Sequence, residues 1–399
     1  FQLPYIVEAV DSAMEAFSGK KRFLLSPANR EKIVRVLMPF FEYGMSLPDR
    51  FDAENKQFFA LTEEQCRLLD VMRHQKKALI QGCAGSGKTI MAVRKAIALA
   101  DAGKKVLLLC FNRLLGEHLK AATAGNPNIT ADTYHKFCMD MLQKAGQLPP
   151  LKENESDYWN RTIPEAFAAL IKNNPPRFDA LIVDEAQDFY VEYWLTIADL
   201  VDDKGYFYIF FDPAQNLYES KMSFPISGEP FVLLRNCRNT RRIFDFIKPF
   251  VDTEMELCEE SPEGDDVEVH VAADPRERKK HLGQILHGLV NEQHLDRNRI
   301  AIIGGHRLAN TCVGASGKVG NFTITENPEA ETHNSINYHT HMKFKGCESD
   351  VVILLDVDPA DERWSGTHLY TAASRAKHKL FVLAITAPKF ISCHRGAQT

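Results

Sequence analysis

No apolar run in this 399-residue chain approaches the ~20 residues that a membrane span requires. No secretory leader is expected from the first residues, because charged residues interrupt their apolar positions. The nine cysteines include no C-x-x-C pair and no zinc-ligand spacing. That scatter argues against a metal or disulfide framework and reads as reduced thiols in a cytoplasmic protein. No tract is of low complexity. A net charge of −5 excludes a uniformly basic coat, although a local basic groove needs only a few lysines or arginines. Apolar residues at 45% and charged residues at 25% are those of an ordinary folded protein. The length allows two or three domains. Phe1-Gln2-Leu3-Pro4 starts in mid-pattern, so the chain is expected to be part of something longer.

What is present is concentrated at residues 82–89, Gly-Cys-Ala-Gly-Ser-Gly-Lys-Thr. Gly82, four residues, then Gly87-Lys88-Thr89 is the spacing of a phosphate-binding loop. It follows the apolar run Ala78-Leu79-Ile80 and opens the helical pattern Ile90-Met91-Ala92-Val93, the strand–loop–helix setting the motif needs. Backbone N–H groups of Gly82, Ala84, Gly85, Ser86 and Gly87 can turn inward around phosphate oxygens. Lys88 would reach the β- and γ-phosphates, and the Thr89 hydroxyl would hold Mg²⁺.

From Leu79 onward short apolar runs alternate with helical patterns, which predicts parallel α/β sheets. One series comprises 106–109, 181–183 and 208–211, with helices near 117–121, 164–171 and 194–201 between them. A second begins at Phe231-Val232-Leu233-Leu234 and continues at 267–271, 300–303, 351–355 and 380–383. The turn-rich stretch 223–230 separates them. The expected architecture is therefore an N-terminal segment (1–60), a first α/β domain (61–222), a second (231–390), and a cleft between the two. In the N-terminal segment Ser26 caps a helix over Pro27 to Met38 that Pro39 stops. The acidic stretch 259–266 reads as a solvated loop.

Asp184-Glu185-Ala186-Gln187-Asp188 follows the buried run 180–183, at the carboxyl end where such sheets place ligands. Asp184 can hold Mg²⁺ opposite Thr89, and Glu185 can orient and deprotonate an attacking water. Upstream, Leu61-Thr62-Glu63-Glu64-Gln65 opens a helix with Thr62 as N-cap, and the Gln65 amide suits an adenine edge.

With these residues the chain resembles superfamily 1 helicases of the UvrD/Rep type, in the family's motif order from about Leu61 to about Leu383. Residues 61–65 look like the adenine-reading motif, and the loop is the first motif. Cys110-Phe111-Asn112 and Thr133-Tyr134-His135-Lys136-Phe137 resemble segments that contact single-stranded DNA. Residues 184–188 match motif II, 211–218 resemble motif III, and Asn236-Cys237-Arg238-Asn239-Thr240 motif IV. Phe344-Lys345-Gly346-Cys347-Glu348 resembles motif V, and Tyr370-Thr371-Ala372-Ala373-Ser374-Arg375-Ala376 motif VI. The resemblance implies two tandem RecA-like P-loop domains with the nucleotide cleft between them. It implies ATP with Mg²⁺, Gln215 as γ-phosphate sensor, Arg238 and Arg375 as arginines reaching across the cleft, and Glu348 among the nucleotide ligands. Phe111, Asn112, Thr133, Tyr134, His135, Tyr218, Lys343 and Lys345 become the expected contacts to single-stranded DNA. Movement would be 3′→5′.

Several positions depart from the family pattern. Cys237 stands where an aromatic residue usually stacks on adenine, which implies only a modest preference for ATP. Met342 replaces a motif V histidine, and Ser374 a threonine. The large helical insertions of UvrD-type enzymes have no room here, which implies a compact translocase core with weak unwinding. The chain also resembles helicases fused to an N-terminal nuclease-related domain, so a fused or associated nuclease is an expected partner. Residues 1–60 hold no carboxylate–lysine nuclease pattern themselves. An RNA-directed helicase and an ATP-gated nucleic-acid clamp are the alternative readings.

Overall fold

A computed structural model describes residues 45–67, 75–151, 155–172, 175–217, 222–326 and 335–387. The described residues from Leu47 onward belong to one compact unit. The helix expected over Pro27 to Met38, with its Ser26 cap, lies outside the described residues.

That unit contains two mainly parallel sheets. The first has the order β3-β2-β4-β5-β1-β6, with β1 Lys77–Gly82, β2 Val106–Cys110, β3 Ile129–Thr133, β4 Phe178–Val183, β5 Val201–Phe211 and β6 Phe231–Leu233. The second has the order β11-β12-β13-β10-β14-β15-β9. Its strands are β9 Glu268–Val271, β10 Ile300–Gly304, β11 Lys318–Val319, β12 Phe322–Thr325, β13 Ser335–Thr340, β14 Ser349–Val357 and β15 Ala376–Ala384. Among the described residues, the β11–β12 pair is the antiparallel one in these sheets. A two-stranded parallel ribbon, β7 Arg235–Asn236 with β8 Glu256–Leu257, lies between them in sequence. We call the parts around the two large sheets the first and second lobes. Among the described residues, no helix is long and apolar enough to cross a membrane.

Side-chain alternation explains why each sheet is covered on both faces. In β2, Leu107 and Leu109 enter one core with Phe137, Phe167 and Val183, while Val106, Leu108 and Cys110 enter another with Met91, Ile182 and Phe210. In β14, Val352 and Leu354 face one core of the second lobe, and Val351, Ile353 and Leu355 the other.

Three expectations change. The strand at 231–233 belongs to the first sheet, pairing Ile80 with Phe231 and Gly82 with Leu233, because it fills the free edge of β1. The segment opening at Leu61 is the end of a helix: α1 runs Leu47–Cys66, with Pro48 and Asp49 in its first turn. Thr62 is not a cap, since its hydroxyl donates back to the Phe58 carbonyl at 2.8 Å. Cys237 and Cys258 form a disulfide that joins the ends of β7 and β8, with Cα atoms 5.5 Å apart, so two of the expected free thiols are paired. Ribbon pairing brings the two cysteines together, which their 21-residue separation does not reveal.

Candidate nucleotide site and nucleic-acid track

β1 delivers the phosphate loop, and α2 (Lys88–Asp101) departs from it with Gly87 as N-cap. Gly85 and Gly87 have φ values of 72° and 80°, a left-handed backbone that a side chain would strain. A Cβ on Gly85 would also sit 2.4 Å from Asn236 Oδ1. Lys88 Nζ donates to the carbonyls of Gly82 (2.8 Å) and Cys83 (2.9 Å) and lies 3.5 Å from Asp212 Oδ2. Thr89 Oγ1 donates to Asp184 Oδ2 at 2.7 Å, which pairs the two groups expected at a magnesium ion. Ser86 is fully buried, with no hydrogen-bond partner for its hydroxyl among the described residues.

Asp184 and Glu185 follow the carboxyl end of β4, and Glu185 holds φ 51°, in the left-handed region that non-glycine residues seldom adopt. Backbone strain of this kind concentrates at functional positions. Burial and the neighbouring Glu185 push the Asp184 carboxyl up. Burial pushes Glu185 in the same direction, but Lys345, Lys88 and Arg375 outweigh it and hold Glu185 below its ordinary value. Gln187 Nε2 donates to Glu185 Oε2 at 2.5 Å and fixes that carboxylate.

Residues from the second lobe complete the cleft. Arg238 and Arg375 line one cavity with residues 84–89, Glu185, Gln215 and Gly346. Arg375 Nη2 donates to Gln215 Oε1 at 2.5 Å, and Gln215 Nε2 donates to Asp212 Oδ2 at 2.8 Å. Arg238 pairs with Glu348. Tyr370 accepts a hydrogen bond from the Ala84 amide at 2.8 Å. Asp188, Gln187, Asp212 and Tyr370 were not singled out from sequence, although each lies inside a motif that was. Each also has a distant partner, from the Asp212 amide donating to Gln187 Oε1, 25 positions away, to the Ala84 amide donating to Tyr370, 286 away.

Gln65 Nε2 donates to the Arg235 carbonyl at 2.9 Å, while its Oε1 is buried and has no partner among the described residues. It borders a cavity of about 350 Å³ lined by Leu61, Glu64, Val232, Leu233, Leu234, Arg235, Glu256 and Cys258. Cys237 has no exposed surface and packs with Leu61 and Cys258, its disulfide partner.

The residues expected to meet nucleic acid separate into three groups. Tyr134 is fully buried and stacked on Tyr193 at 4.5 Å, which leaves no face for a base. Lys345 is buried as well: its ammonium pairs with Asp188 and donates to the Gln215 carbonyl at 2.6 Å, so it ties the lobes together. Burial is also the first influence on Asp188, whose carboxyl it pushes up to about 6 against the pull of Lys345. Asn112 caps α3 (Arg113–Thr123) and donates to the carbonyls of Met342 (3.0 Å) and Lys343 (2.9 Å). Thr133 caps α4 (Tyr134–Lys144). Phe111 and His135 are half-buried, ring edge to ring face at 5.5 Å, and burial lowers the His135 imidazole to about 4. Lys343 is exposed. Tyr218 lies outside the described residues.

Two arterivirus structures of nonstructural protein 10, a helicase, are similar in part. One has 15% identity and a TM-score of 0.36, covering 77% of this chain and 59% of its own. The other, a complex with DNA, has 13% identity and a TM-score of 0.38, covering 79% and 61%. The chain thus spans about three-fifths of their length. The C-terminal domain of a possible DNA helicase from Lactobacillus plantarun WCFS1 has 22% identity and a TM-score of 0.30, covering 39% of this chain and 91% of its own. No curated protein matches. Residues 65–221, which carry the phosphate loop, Asp184 to Asp188 and Gln215, match the AAA domain family.

Proposed function

We propose that this chain hydrolyses ATP in the cleft between its lobes and uses the cycle of closing and opening to move along single-stranded DNA. The observation that carries this reading is the convergence of Lys88, Glu185 and Gln215 from the first lobe with Arg238 and Arg375 from the second on one cavity. A pocket that needs both lobes is most complete when they are closed. Hydrolysis in such a pocket changes the stability of closure, as in other nucleotide switches.

Glu185 is the general base: lysine and arginine charges keep it ionised and Gln187 aims it. Lys88 would leave the Gly82 and Cys83 carbonyls for the β- and γ-phosphates, and Arg375 would leave Gln215 for the γ-phosphate. Planar guanidiniums suit that charge, and such arginines are worth ~10³–10⁵ in kcat. Thr89 and Asp184 would hold Mg²⁺, which supplies charge neutralisation at the phosphate oxygens. Gln65 Oε1 would accept from an exocyclic amine of the base. Lys343, Phe111 and His135 remain candidate contacts to the strand, and a 3′→5′ direction follows the UvrD-like motif order.

Steady-state ATP turnover with and without single-stranded DNA or RNA tests this, in wild type and Glu185→Gln. DNA should stimulate the wild type and Glu185→Gln should abolish turnover while retaining nucleotide. Equal stimulation by RNA favours the RNA-directed alternative, and no stimulation by either polymer overturns the motor reading.

A further inference from the structure

Helix α1 has its two ends in different lobes. Phe51, fully buried, belongs to a core of the second sheet with Ile302, Ile353 and Leu383, whereas Cys66 belongs to a core of the first with Ile80 and Met91. Fifteen residues of α-helix separate them, roughly 22 Å at 1.5 Å per residue. Both attachments are specific. Phe51 stacks on the His378 ring at 4.5 Å with 12° between the planes. Glu54 Oε2 lies 2.5 Å from His378 Nδ1, and Asn55 Oδ1 lies 3.1 Å from Nε2 and 3.0 Å from Lys377 Nζ. At the other end Gln65 is bonded to Arg235, and the Thr62 methyl sits 2.8 Å from where a Cβ on Gly87 would be.

The anchors on the second lobe are close in sequence to the trans-cleft arginine set. Lys377 and His378 are the second and third residues of β15, which starts directly after Arg375. Asp350, paired with Lys377 at 2.6 Å, is the second residue of β14, which starts directly after Glu348, the partner of Arg238. The Ser349 amide donates to the Arg375 carbonyl at 3.0 Å, which locks the two strand starts together. One helix therefore connects the amide beside the base cavity to the strand starts next to Arg375 and to Glu348, the partner of Arg238.

We propose that α1 is a strut that ties base recognition to the placement of Arg238 and Arg375, with Phe51, Glu54 and Asn55 as positioning residues for hydrolysis. The inference rests on the reading above in which Gln65 meets the base and the arginines meet the γ-phosphate. Gln65 also reaches Arg238 through Arg235, three residues before it, so what the helix itself adds is a link from the base cavity to Arg375. Docked on both lobes, α1 allows Arg375 to register fully only when the base end is seated.

A double-mutant cycle in kcat/KM for ATP tests the strut, using Gln65→Ala and Glu54→Ala in the full chain. The two positions are eleven residues apart, roughly 16 Å along the helix, a separation at which independent effects multiply. The strut predicts that Gln65→Ala costs about tenfold in wild type and less than about twofold once Glu54 is Ala. Glu54→Ala alone should lower kcat more than it raises KM when the rate is expressed per folded molecule, counted by circular dichroism, since destabilisation lowers only the folded fraction. Effects that multiply within about twofold overturn the proposal. If Gln65→Ala changes neither kcat/KM nor the ATP-to-GTP ratio, the base reading fails on its own. The strut then depends on the cycle between Glu54→Ala and Arg375→Lys, where multiplying effects again overturn it. Should Glu54→Ala fail to fold, Asn55→Ser enters the same cycles with the same expected outcomes.

Discussion

The phosphate cleft and the surface around Phe111 and His135 are built from different materials. The cleft is a chain of buried charged and amide groups that satisfy one another: Gln187 on Glu185, Gln215 on Asp212, Arg375 on Gln215, Lys345 on Asp188. Each bond is charge-assisted or lies within a low-dielectric network, where partners can be exchanged for a ligand but not simply dropped. Phe111 meets His135 and Phe189 edge to face, and Phe189 meets Tyr134 the same way, so the energy lies in packed area. Removing one residue should therefore cost chemistry or strand a buried charge in the first region, and leave a packing cavity in the second.

The largest expected break is Arg375→Ala, with ATP turnover falling by about 10³-fold or more in a phosphate-release assay. Unchanged turnover would show that the cleft's arginine is structural. Next is Lys345→Ala, which leaves Asp188 buried and unpaired. Chemical denaturation should register a loss of about 3–5 kcal/mol, largely recovered in Asp188→Leu/Lys345→Met. Tyr134→Ala belongs to the ring-packed region and should lower stability by about 3–5 kcal/mol, with strand affinity of the folded fraction unaltered. A much smaller effect separates Lys343 from Lys345, only two positions away. Lys343→Ala should leave stability within about 0.5 kcal/mol and reduce the salt slope of single-strand binding by about 0.7.

The smallest expected effect is on acidification. Asp350 and Asp265 are pushed up by burial, but Lys377, Arg299 and His378 together outweigh burial for the first and Arg50 with Lys379 for the second, so both sit below their ordinary value of 3.8. A depressed carboxylate contributes stability that is complete above its unfolded value and is lost as pH falls through the folded one. The second-lobe attachment of α1 should therefore hold at pH 5 and loosen below about 3.8, visible as faster amide exchange in residues 47–58. Exchange that is flat across that range would separate these carboxylates from the anchoring of α1.

Much of this architecture was legible from residues alone. The loop at 82–89, the buried runs of β2, β4, β5, β10, β14 and β15, and the carboxylates after β4 all follow local rules of spacing and alternation. The strands at 129–133 and 335–340 were not, because Thr, Asp, Asn and His interrupt the apolar signal that marked the others. Capping at Thr62 failed because a helix already running from Leu47 overrides a local start signal. The acidic stretch 259–266 read as a solvated loop, yet Asp265 receives both amino groups of Arg50, at 2.9 and 2.7 Å. The aromatic positions were ambiguous in principle, since a ring that stacks on a base and a ring that packs in a core have the same chemistry.

Composition, spacing and motif order were enough to establish a phosphate-binding α/β protein and to indicate which charged groups would gather around the phosphates. A loop, a strand end and an acidic pair are local objects, specified by residues a few positions apart. Tertiary structure decided which lysine is buried and which exposed, which cysteines pair, which edge β6 joins, and that α1 is rooted in both lobes. Those outcomes depend on contacts between residues 21 to more than 300 positions apart, where no periodicity or spacing records the partner.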